Sequence, residues 1–259
     1  MDDPWATVER AAGDRASGAA EIARTAAGAL GRLPDDLVIP ALELLCRGHP
    51  SMAPMWRLAS EMLSRPDRAV AARRFASVLE EDRSEVDALV TQVAGLRVIT
   101  ISYSSSVVEL VRRARPSRVL CMRSEPGGEG VHSAETISAW TRAAVVEDAD
   151  AISRVPGDLV VVGADAVTPR AVVNKVKTRA LAEAARSKGL PTYAVAGESK
   201  FIAEELPVAS PFEATPLELL VGIAGPGGPL DAGRAGEHAK TRPIHPKLRP
   251  LLGQLLKPG

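Results

Sequence analysis

The first part of the chain repeats apolar residues at helical spacing. Between Ser17 and Leu33 they recur three or four positions apart, and Ser17 is the expected N-cap of this helix. The same period continues in two segments bounded by proline, 34–50 and 54–65. It also continues in a longer amphipathic segment that ends at Gly95. This pattern predicts an N-terminal helical domain over residues 1–94.

From residue 95 the pattern changes to short apolar runs that alternate with helical ones. Five runs rich in β-branched residues are predicted strands, at 96–102, 117–124, 143–148, 157–165 and 191–197. Helices are predicted between them, including a long one over 172–189. Because most strands lack a polar face, we expect an α/β fold over 95–224, a Rossmann-like parallel sheet with helices on both faces. The Pro- and Gly-rich segment 225–259 predicts an extended or partly disordered C-terminal arm.

Composition narrows the classes of function. Lys and Arg balance Asp and Glu at 32 each, and aromatics are 3%, which argues against nucleic-acid binding by charge or by stacking. The two cysteines are too few for a disulfide framework, which fits a protein of the reducing cytoplasm. The four histidines lack the spacing of metal ligands, so we expect neither a metal site nor a cofactor. His49 and His245, each beside a proline, are expected at the surface. The acidic N-terminus and the lack of long apolar runs predict neither a signal peptide nor a membrane span, and abundant Ala, Arg, Gly and Pro suggest a bacterial source.

Polar residues gather where the predicted strands end, which is where open parallel sheets bind ligands. These ends hold residues 102–106, 123–130, Asp148, Asp150 and 163–165. The Gly-rich turn after residue 123 either wraps a phosphate or only joins a strand to a helix. A Ser–His–Asp hydrolase site using Ser104 and His132 stays open, although the chain has no G-x-S-x-G elbow around that serine.

Asp165 directly follows a predicted buried strand, and Asn174 and Lys175 follow nine and ten residues later. We expect this pair to open a helix, whose N-terminal N–H groups and dipole favour an anion. The alternative is that Asn174 caps the helix and Lys175 faces solvent.

Several motifs occur in an order that resembles one known superfamily. They are "SGAAEIARTA", "TISYSSSVVELVRRA", "SEPGGEG", "GADAV…VVNKVKTRALAEAARSKGLPTYAVAGESKF" and "SPFEATPLELLVGI". The superfamily contains the alpha, beta and delta subunits of eukaryotic translation initiation factor 2B, methylthioribose-1-phosphate isomerase and ribose-1,5-bisphosphate isomerase. The resemblance spans about residues 10–224. It implies a helical domain before a Rossmann-like domain, and a dimer or higher oligomer joined through the latter.

The isomerases of this superfamily convert an aldose phosphate to a ketose phosphate without a metal, using a cysteine and an aspartate. By resemblance, Asp165 matches the catalytic aspartate, and Asn174 and Lys175 match a phosphate-holding pair. Ser102 falls where the isomerases keep cysteine, and a serine offers no thiolate near neutral pH. The sequence around Ser102 is more similar to that of the regulatory subunits of the initiation factor, which also carry Tyr-Ser at this point.

Other expected ligand contacts carry less specific signals. Arg123 and Glu125 look exchanged relative to the family motif, and Arg123 is expected to reach a phosphate from the neighbouring position. Ser104 and Ser105 begin the next helix, where they cap it or cradle an anion. Gly163, at the end of the strand before Asp165, completes the predicted binding residues.

Two functions follow, and the sequence leaves open whether the protein is an enzyme. The first is a cytoplasmic subunit that binds a sugar phosphate or nucleotide without the standard isomerase chemistry. The alternative is a divergent aldose–ketose isomerase for a ribose-1-phosphate-type substrate, with Asp165 as acid/base and Ser102 or a water opposite. In both cases we expect a homodimer or higher oligomer that binds neither nucleic acid nor membrane.

Overall fold

The computed structural model of the chain describes residues 3–81 and 85–257. Its first part is helical, as the periodicity predicts, with buried Leu30, Leu45 and Trp56 in one core. The helices are α1 (Pro4–Gly13), α2 (Ala19–Leu30), α3 (Asp35–Gly48), α4 (Ala53–Ser64), α5 (Arg68–Glu81) and α6 (Val90–Val93), with a 3₁₀ turn at Glu85–Leu89. Residues 82–84 of the predicted longer amphipathic segment lie outside the described residues.

The expectation that Ser17 caps α2 is wrong. The N-cap is Gly18, and the backbone N–H of Ser17 instead donates to the Asp14 carboxylate, 2.9 Å away. Asp14 also accepts the N–H of Ala16, at 2.8 Å. Burial raises the pKa of this carboxyl, but these hydrogen bonds outweigh burial and leave the pKa below its usual value. The turn before α2 is therefore held by an acidic side chain.

The second part contains a seven-stranded sheet in the order β10-β9-β7-β4-β1-β2-β3. Every neighbouring pair is parallel except the hairpin β9–β10. The five strands predicted from the sequence are all present. The strands of this sheet are β1 (Arg97–Thr100), β2 (Arg118–Met122), β3 (Ala143–Val146), β4 (Leu159–Val162), β7 (Thr192–Val195), β9 (Gly222–Gly225) and β10 (Gly228–Leu230).

Both faces of this sheet are covered by helices. Along β1, Val98 belongs to the core on one face and Ile99 to the core on the other, and Val161 and Val160 alternate likewise on β4. The covering helices are α7 (Ser105–Ala114), α8 (Glu129–Ile137), α9 (Asp148–Arg154), α10 (Thr178–Ser187) and α11 (Ala232–Lys240). The predicted α/β class, a largely parallel sheet between helices, is confirmed.

A second, antiparallel sheet contradicts one predicted helix. It has the order β5-β6-β8, formed by β5 (Ala166–Val167), β6 (Ala171–Lys175) and β8 (Phe212–Pro216). Asn174 and Lys175 therefore end a strand and do not open a helix, and α10 starts only at Thr178 after Lys177 adopts a left-handed φ of 79°. The physical reason is pairing, because β8 supplies backbone partners to every residue of β6.

The tail after Gly225 is folded, which corrects the expectation of an extended arm. It forms the hairpin partner β10, helix α11 capped by Asp231, a 3₁₀ turn at Pro246–Leu248 and helix α12 (Arg249–Leu255). Leu248, Leu251 and Leu252 are buried in the core of the N-terminal helices. The apolar positions of the tail drive this return, since they find a surface that the first helices leave open.

The outer face of α7 carries an ion-pair network. Glu109 accepts hydrogen bonds from Arg112 and Arg113 at 2.6–2.7 Å. The hydrogen bond from Arg112 lowers the pKa of Glu109 most; burial opposes this and Arg113 adds to it, so that the pKa falls to about 2. In the described ranges, no helix is long and apolar enough to cross a membrane.

Candidate functional site

A cavity of about 340 Å³ lies between the N-terminal helices and the carboxyl ends of the parallel strands. The helical part contributes the turn before α2 and the turn between α3 and α4. The second part contributes the β1–α7 loop, the end of β6, the start of α8 and the segment before β8. The lining includes residues 14–20, 48–52, 102–106, Glu129, Ala164, Asp165, Asn174, Lys175, Lys200 and 209–212.

The structure brings most of the predicted site residues to this cavity. Six of them line it: Ser102, Ser104, Ser105, Asp165, Asn174 and Lys175. Ser102, Ser104, Ser105 and Asp165 follow strands of the parallel sheet, where the sequence places the ligand site, whereas Asn174 and Lys175 come from antiparallel β6.

Two predicted residues have other surroundings. Arg123 pairs with Glu147 at the end of the next strand, with Nη2 2.7 Å from Oε1, and it is not among the residues that line the cavity. Gly163 contacts Ser104 by close packing, since a Cβ at position 163 would lie 2.6 Å from both Cβ and Oγ of that serine. Gly163 thus lets the start of α7 approach β4.

Asp165 is held by its backbone between two elements. Its N–H donates to the carbonyl of Val173 on β6 at 2.8 Å, and its own carbonyl accepts the N–H of Ala53, the first residue of α4, at 2.9 Å. Burial raises the pKa of the Asp165 carboxyl, and the cations of Lys200 and Lys175 oppose that rise. A carboxyl with a raised pKa in a cavity is suited to accept and return a proton.

Lys175 is a buried and paired cation of the cavity. Its side chain is 4% exposed, and Nζ lies 2.6 Å and 2.9 Å from the two carboxylate oxygens of Glu129. Nζ also donates to the carbonyl oxygen of Pro126. The expectation that Lys175 faces solvent is therefore wrong, and its partner Glu129 was missed by sequence reasoning.

Asn174 stabilises the strand-to-helix turn that follows it. Its Nδ2 donates to Oγ1 of Thr178 at 3.2 Å, and that hydroxyl donates to the carbonyl of Lys175 at 2.6 Å. Asn174 is buried at the end of β6, where it lines the cavity without capping a helix.

Ser102 lies in a loop that is held by hydrogen bonds to two other serines. Its φ of 63° is left-handed, its N–H donates to Oγ of Ser124 at 2.7 Å, and its carbonyl accepts the hydroxyl of Ser133 at 2.8 Å. Three more serines follow. Ser104 caps α7 by accepting the N–H of Val107 at 3.4 Å, and Ser105 and Ser106 form the first turn, where backbone N–H groups lack acceptors within the helix.

Asp148 anchors the neighbouring Gly-rich loop, a role that sequence reasoning missed. It accepts the N–H groups of Ser124 and Glu125 at 2.8 and 3.0 Å and pairs with Nζ of Lys177 at 2.5 Å. Burial raises the pKa of this carboxyl, but Lys177 and the backbone hydrogen bonds outweigh burial, so the net pKa is lowered. Asp148 therefore stays ionised and fixes the loop that delivers Glu129.

The expectation that His49 is a surface residue is also wrong. Its ring lines the cavity and is buried, and Nε2 lies 2.7 Å from the carbonyl of Ala11, so this nitrogen carries the proton. Burial lowers the pKa of His49, which favours the neutral ring. Within the described residues, no cluster of His, Cys, Asp and Glu is arranged to hold a metal ion.

The model of the Initiation factor 2 subunit family matches residues 61–224, which include the strands and loops of this cavity. The chain belongs to the initiation factor 2 subunit family. No curated protein sequence matches it. Solved structures of several proteins share its fold.

One similar structure is the translation initiation factor eIF-2B of Pyrococcus horikoshii OT3, with 25% identity, a TM-score of 0.77, and coverage of 89% of this chain and 98% of that one. The 5-methylthioribose 1-phosphate isomerase of the same organism has 18% identity and a TM-score of 0.69, over 92% of this chain and 87% of that one. The tetrameric eIF2B-beta2-delta2 complex of C. thermophilum has 16% identity and a TM-score of 0.67, over 90% and 92%. The last two show the fold alone.

Proposed function

We propose that this family member binds a phosphorylated small molecule, a sugar phosphate or a nucleotide, in the cavity between its two parts. The observation that carries this proposal is the meeting of the first turn of α7, with Ser104, Ser105 and Ser106, and cationic side chains that include Lys175 and Lys200 around one cavity. Hydroxyls, unsatisfied helical N–H groups and ammonium groups are the donors that phosphate oxygens accept from.

We further propose that the protein lacks the standard isomerase chemistry of its relatives. Ser102 lines the cavity, and its hydroxyl does not ionise near neutral pH. The two cysteines offer no substitute. Burial raises the pKa of Cys121 to about 12 and raises that of Cys46 as well, and neither is among the residues that line the cavity. A thiolate in the role of acid or base is therefore missing from the proposed site.

One observation favours the alternative of a divergent aldose–ketose isomerase. Asp165 combines a raised pKa with a position in the cavity wall, which are the properties of a group that moves a proton between two substrate carbons. In this alternative, Ser102 or an ordered water serves on the other side of the substrate.

The binding test measures melting temperatures across a panel of sugar phosphates and nucleotides. A ligand at 100 times its Kd is expected to raise the melting temperature by about 5–10 °C. Ser105→Glu places a carboxylate in the first turn of α7, where it favours the helix but repels a phosphate. We expect it to abolish the shift, while Ser117→Glu, an exposed serine outside the cavity, keeps it. If no compound stabilises the wild type, the binding proposal fails.

The catalytic test incubates the protein with ribose 1,5-bisphosphate and with methylthioribose 1-phosphate and follows ketose formation. We expect no turnover with either substrate. Turnover that Asp165→Asn removes, without loss of ligand binding, would instead establish the isomerase alternative. Turnover that survives Asp165→Asn would contradict the role given to Asp165 in that alternative.

We also propose that the protein is a cytoplasmic homodimer or higher oligomer that associates with neither nucleic acid nor membranes. Its family relative from C. thermophilum is a tetrameric complex, which supports assembly as a property to test here. Light scattering after size-exclusion chromatography is expected to give at least twice the chain mass of 27.2 kDa. A single monomeric peak across micromolar concentrations would overturn this part.

A further inference from the structure

The charges around the cavity are balanced, which is unusual for a site that takes a highly charged anion. The lining includes three cationic side chains, Arg15, Lys175 and Lys200, and three carboxylates, Asp14, Glu129 and Asp165. A ligand with two phosphate groups brings up to four negative charges. Such ligands generally need a surplus of cations or amide donors, because each phosphate must exchange its water for charged or N–H partners.

Glu129 forms an ion pair with Lys175, one of the cations that line the cavity. An ammonium group has three N–H donors, and Nζ of Lys175 has three acceptors: the two oxygens of Glu129 and the carbonyl of Pro126. The two oxygens of one carboxylate lie in nearly the same direction from Nζ and share one N–H, and Pro126 takes a second, so Lys175 keeps at most one donor for a phosphate. A phosphate that approached it would also meet the Glu129 carboxylate, a charge of its own sign.

The Glu129 carboxylate is built into this position. A Cβ at Gly127 would lie 2.7 Å from Oε1 of Glu129, so the glycine, at a φ of 111°, makes the room that the carboxylate occupies. Glu129 is also the first residue of α8, where the helix dipole favours a negative charge. The carboxylate is thus held by Lys175, by the shape of the loop and by the helix.

From this geometry we propose that Glu129 restricts the cavity to ligands that carry a single phosphate group. The inference rests on the proposed function and adds the class of ligand. One phosphate binds through the N–H groups and hydroxyls of the first turn of α7. The sugar hydroxyls, and no second phosphate, then face the Glu129–Lys175 pair, because a carboxylate accepts hydrogen bonds from hydroxyls.

The test compares matched ligands with one and two phosphates by isothermal titration calorimetry. The pairs are ribose 5-phosphate with ribose 1,5-bisphosphate, and adenosine 5′-monophosphate with adenosine 3′,5′-bisphosphate. For the pair that binds, we expect the wild type to prefer the monophosphate by about tenfold or more. Glu129→Gln is expected to bring this ratio to about one or reverse it, since a freed charge-assisted hydrogen bond changes affinity by about tenfold. Its affinity for the monophosphate is expected to fall as well, because the glutamine keeps only one of the two oxygens that accept from the sugar hydroxyls, so the ratio of the two affinities is the quantity compared.

Glu125→Gln is the matched control. It makes the same charge change in the same loop, but Glu125 is exposed and is not among the residues lining the cavity. We expect it to keep the preference of the wild type. If Glu129→Gln does not fold, the wild-type ratio still tests whether the cavity prefers a single phosphate group.

Each failure has a distinct signature. A wild type that binds the bisphosphate as tightly as the monophosphate overturns the inference and leaves the proposed function standing. A monophosphate preference that Glu129→Gln does not alter overturns the role of Glu129. If no ligand of either pair binds to any variant, the inference falls, and the proposed function is decided by the melting-temperature panel of sugar phosphates and nucleotides.

Discussion

The pairing of Lys175 with Glu129 predicts a large cost for Glu129→Gln. The glutamine keeps one oxygen as an acceptor but removes the charge opposite an ammonium that is only 4% exposed. Removing one partner of a fully buried pair costs about 3–5 kcal/mol. Because Glu129 is itself 29% exposed, water compensates in part, and we expect about 2 kcal/mol. For a chain of this size that lowers the melting temperature by about 4–8 °C.

The assay is a double-mutant cycle in urea and thermal unfolding. It compares the wild type, Glu129→Gln, Lys175→Met and the double variant. We expect the double variant to be less destabilised than the sum of the single ones, by about 1–3 kcal/mol, because it leaves no unpaired buried charge.

The control is a solvent-exposed ion pair on α10. Arg179 and Glu183 are 2.8 Å apart but 54% and 50% exposed, so Glu183→Gln is expected to cost at most about 0.5 kcal/mol. If Glu129→Gln melts within 1 °C of the wild type, or if the coupling in the cycle is near zero, the pair does not hold the loop and the reasoning is refuted.

Three further predictions concern other parts of the molecule. Gly163→Ala is expected to destabilise the protein by about 1–3 kcal/mol in urea unfolding, because the new methyl group would lie 2.6 Å from Ser104. Glu109 has a folded pKa of about 2 against an ordinary 4.5, so its contribution to stability is lost as the pH falls from 4.5 towards 2, and Glu109→Gln should flatten the stability profile in that window. Asp165 has a raised pKa, so its ionisation costs stability above pH 3.8; Asp165→Asn should raise the melting temperature at pH 7, with a gain that shrinks towards pH 4.

Each of these predictions has a matched control. Gly13→Ala adds a methyl group in open space and is expected to cause no loss, so equal effects at positions 13 and 163 would argue against the packing explanation. Glu135→Gln, on the exposed side of α8, should leave the acid profile unchanged. Asp150→Asn, an exposed aspartate, should not reproduce the gain of Asp165→Asn. A lower melting temperature for Asp165→Asn at pH 7 would contradict the sign of the pKa shift.

The parallel sheet could be predicted because its strands carry their own signal. Runs such as Leu159–Val162 are apolar on both faces. This pattern is typical of a strand in a parallel sheet that helices cover on both sides. Strand β6 could not be predicted this way. Its partner β8 lies about 40 residues further along the chain. The residues of β6 run almost directly into the amphipathic α10, so the local sequence gives no indication of this pairing.

The position of the candidate site could be predicted in part from the sequence, but its ion pairs could not. Strand-end topology locates Ser102 and Asp165 together, because each follows a strand of the parallel sheet, whereas Lys175 reaches the cavity from antiparallel β6, which that rule does not cover. It does not fix which charges pair, so Arg123 turns to Glu147 and Lys175 to Glu129. The glycines before Glu129 were the available signal, but only the fold shows that position 127 leaves room for a carboxylate.

The return of the tail to the N-terminal helices has a consequence for the order of synthesis. Ile244 and Leu248 complete a core whose other members end at Leu79 within the helical part, about 165 residues earlier. At ribosomal rates this interval lasts roughly 10–30 s. During that time the nascent helices expose the apolar surface that the tail will cover. We therefore expect the emerging chain to be prone to aggregation until Ile244 and Leu248 have left the ribosome.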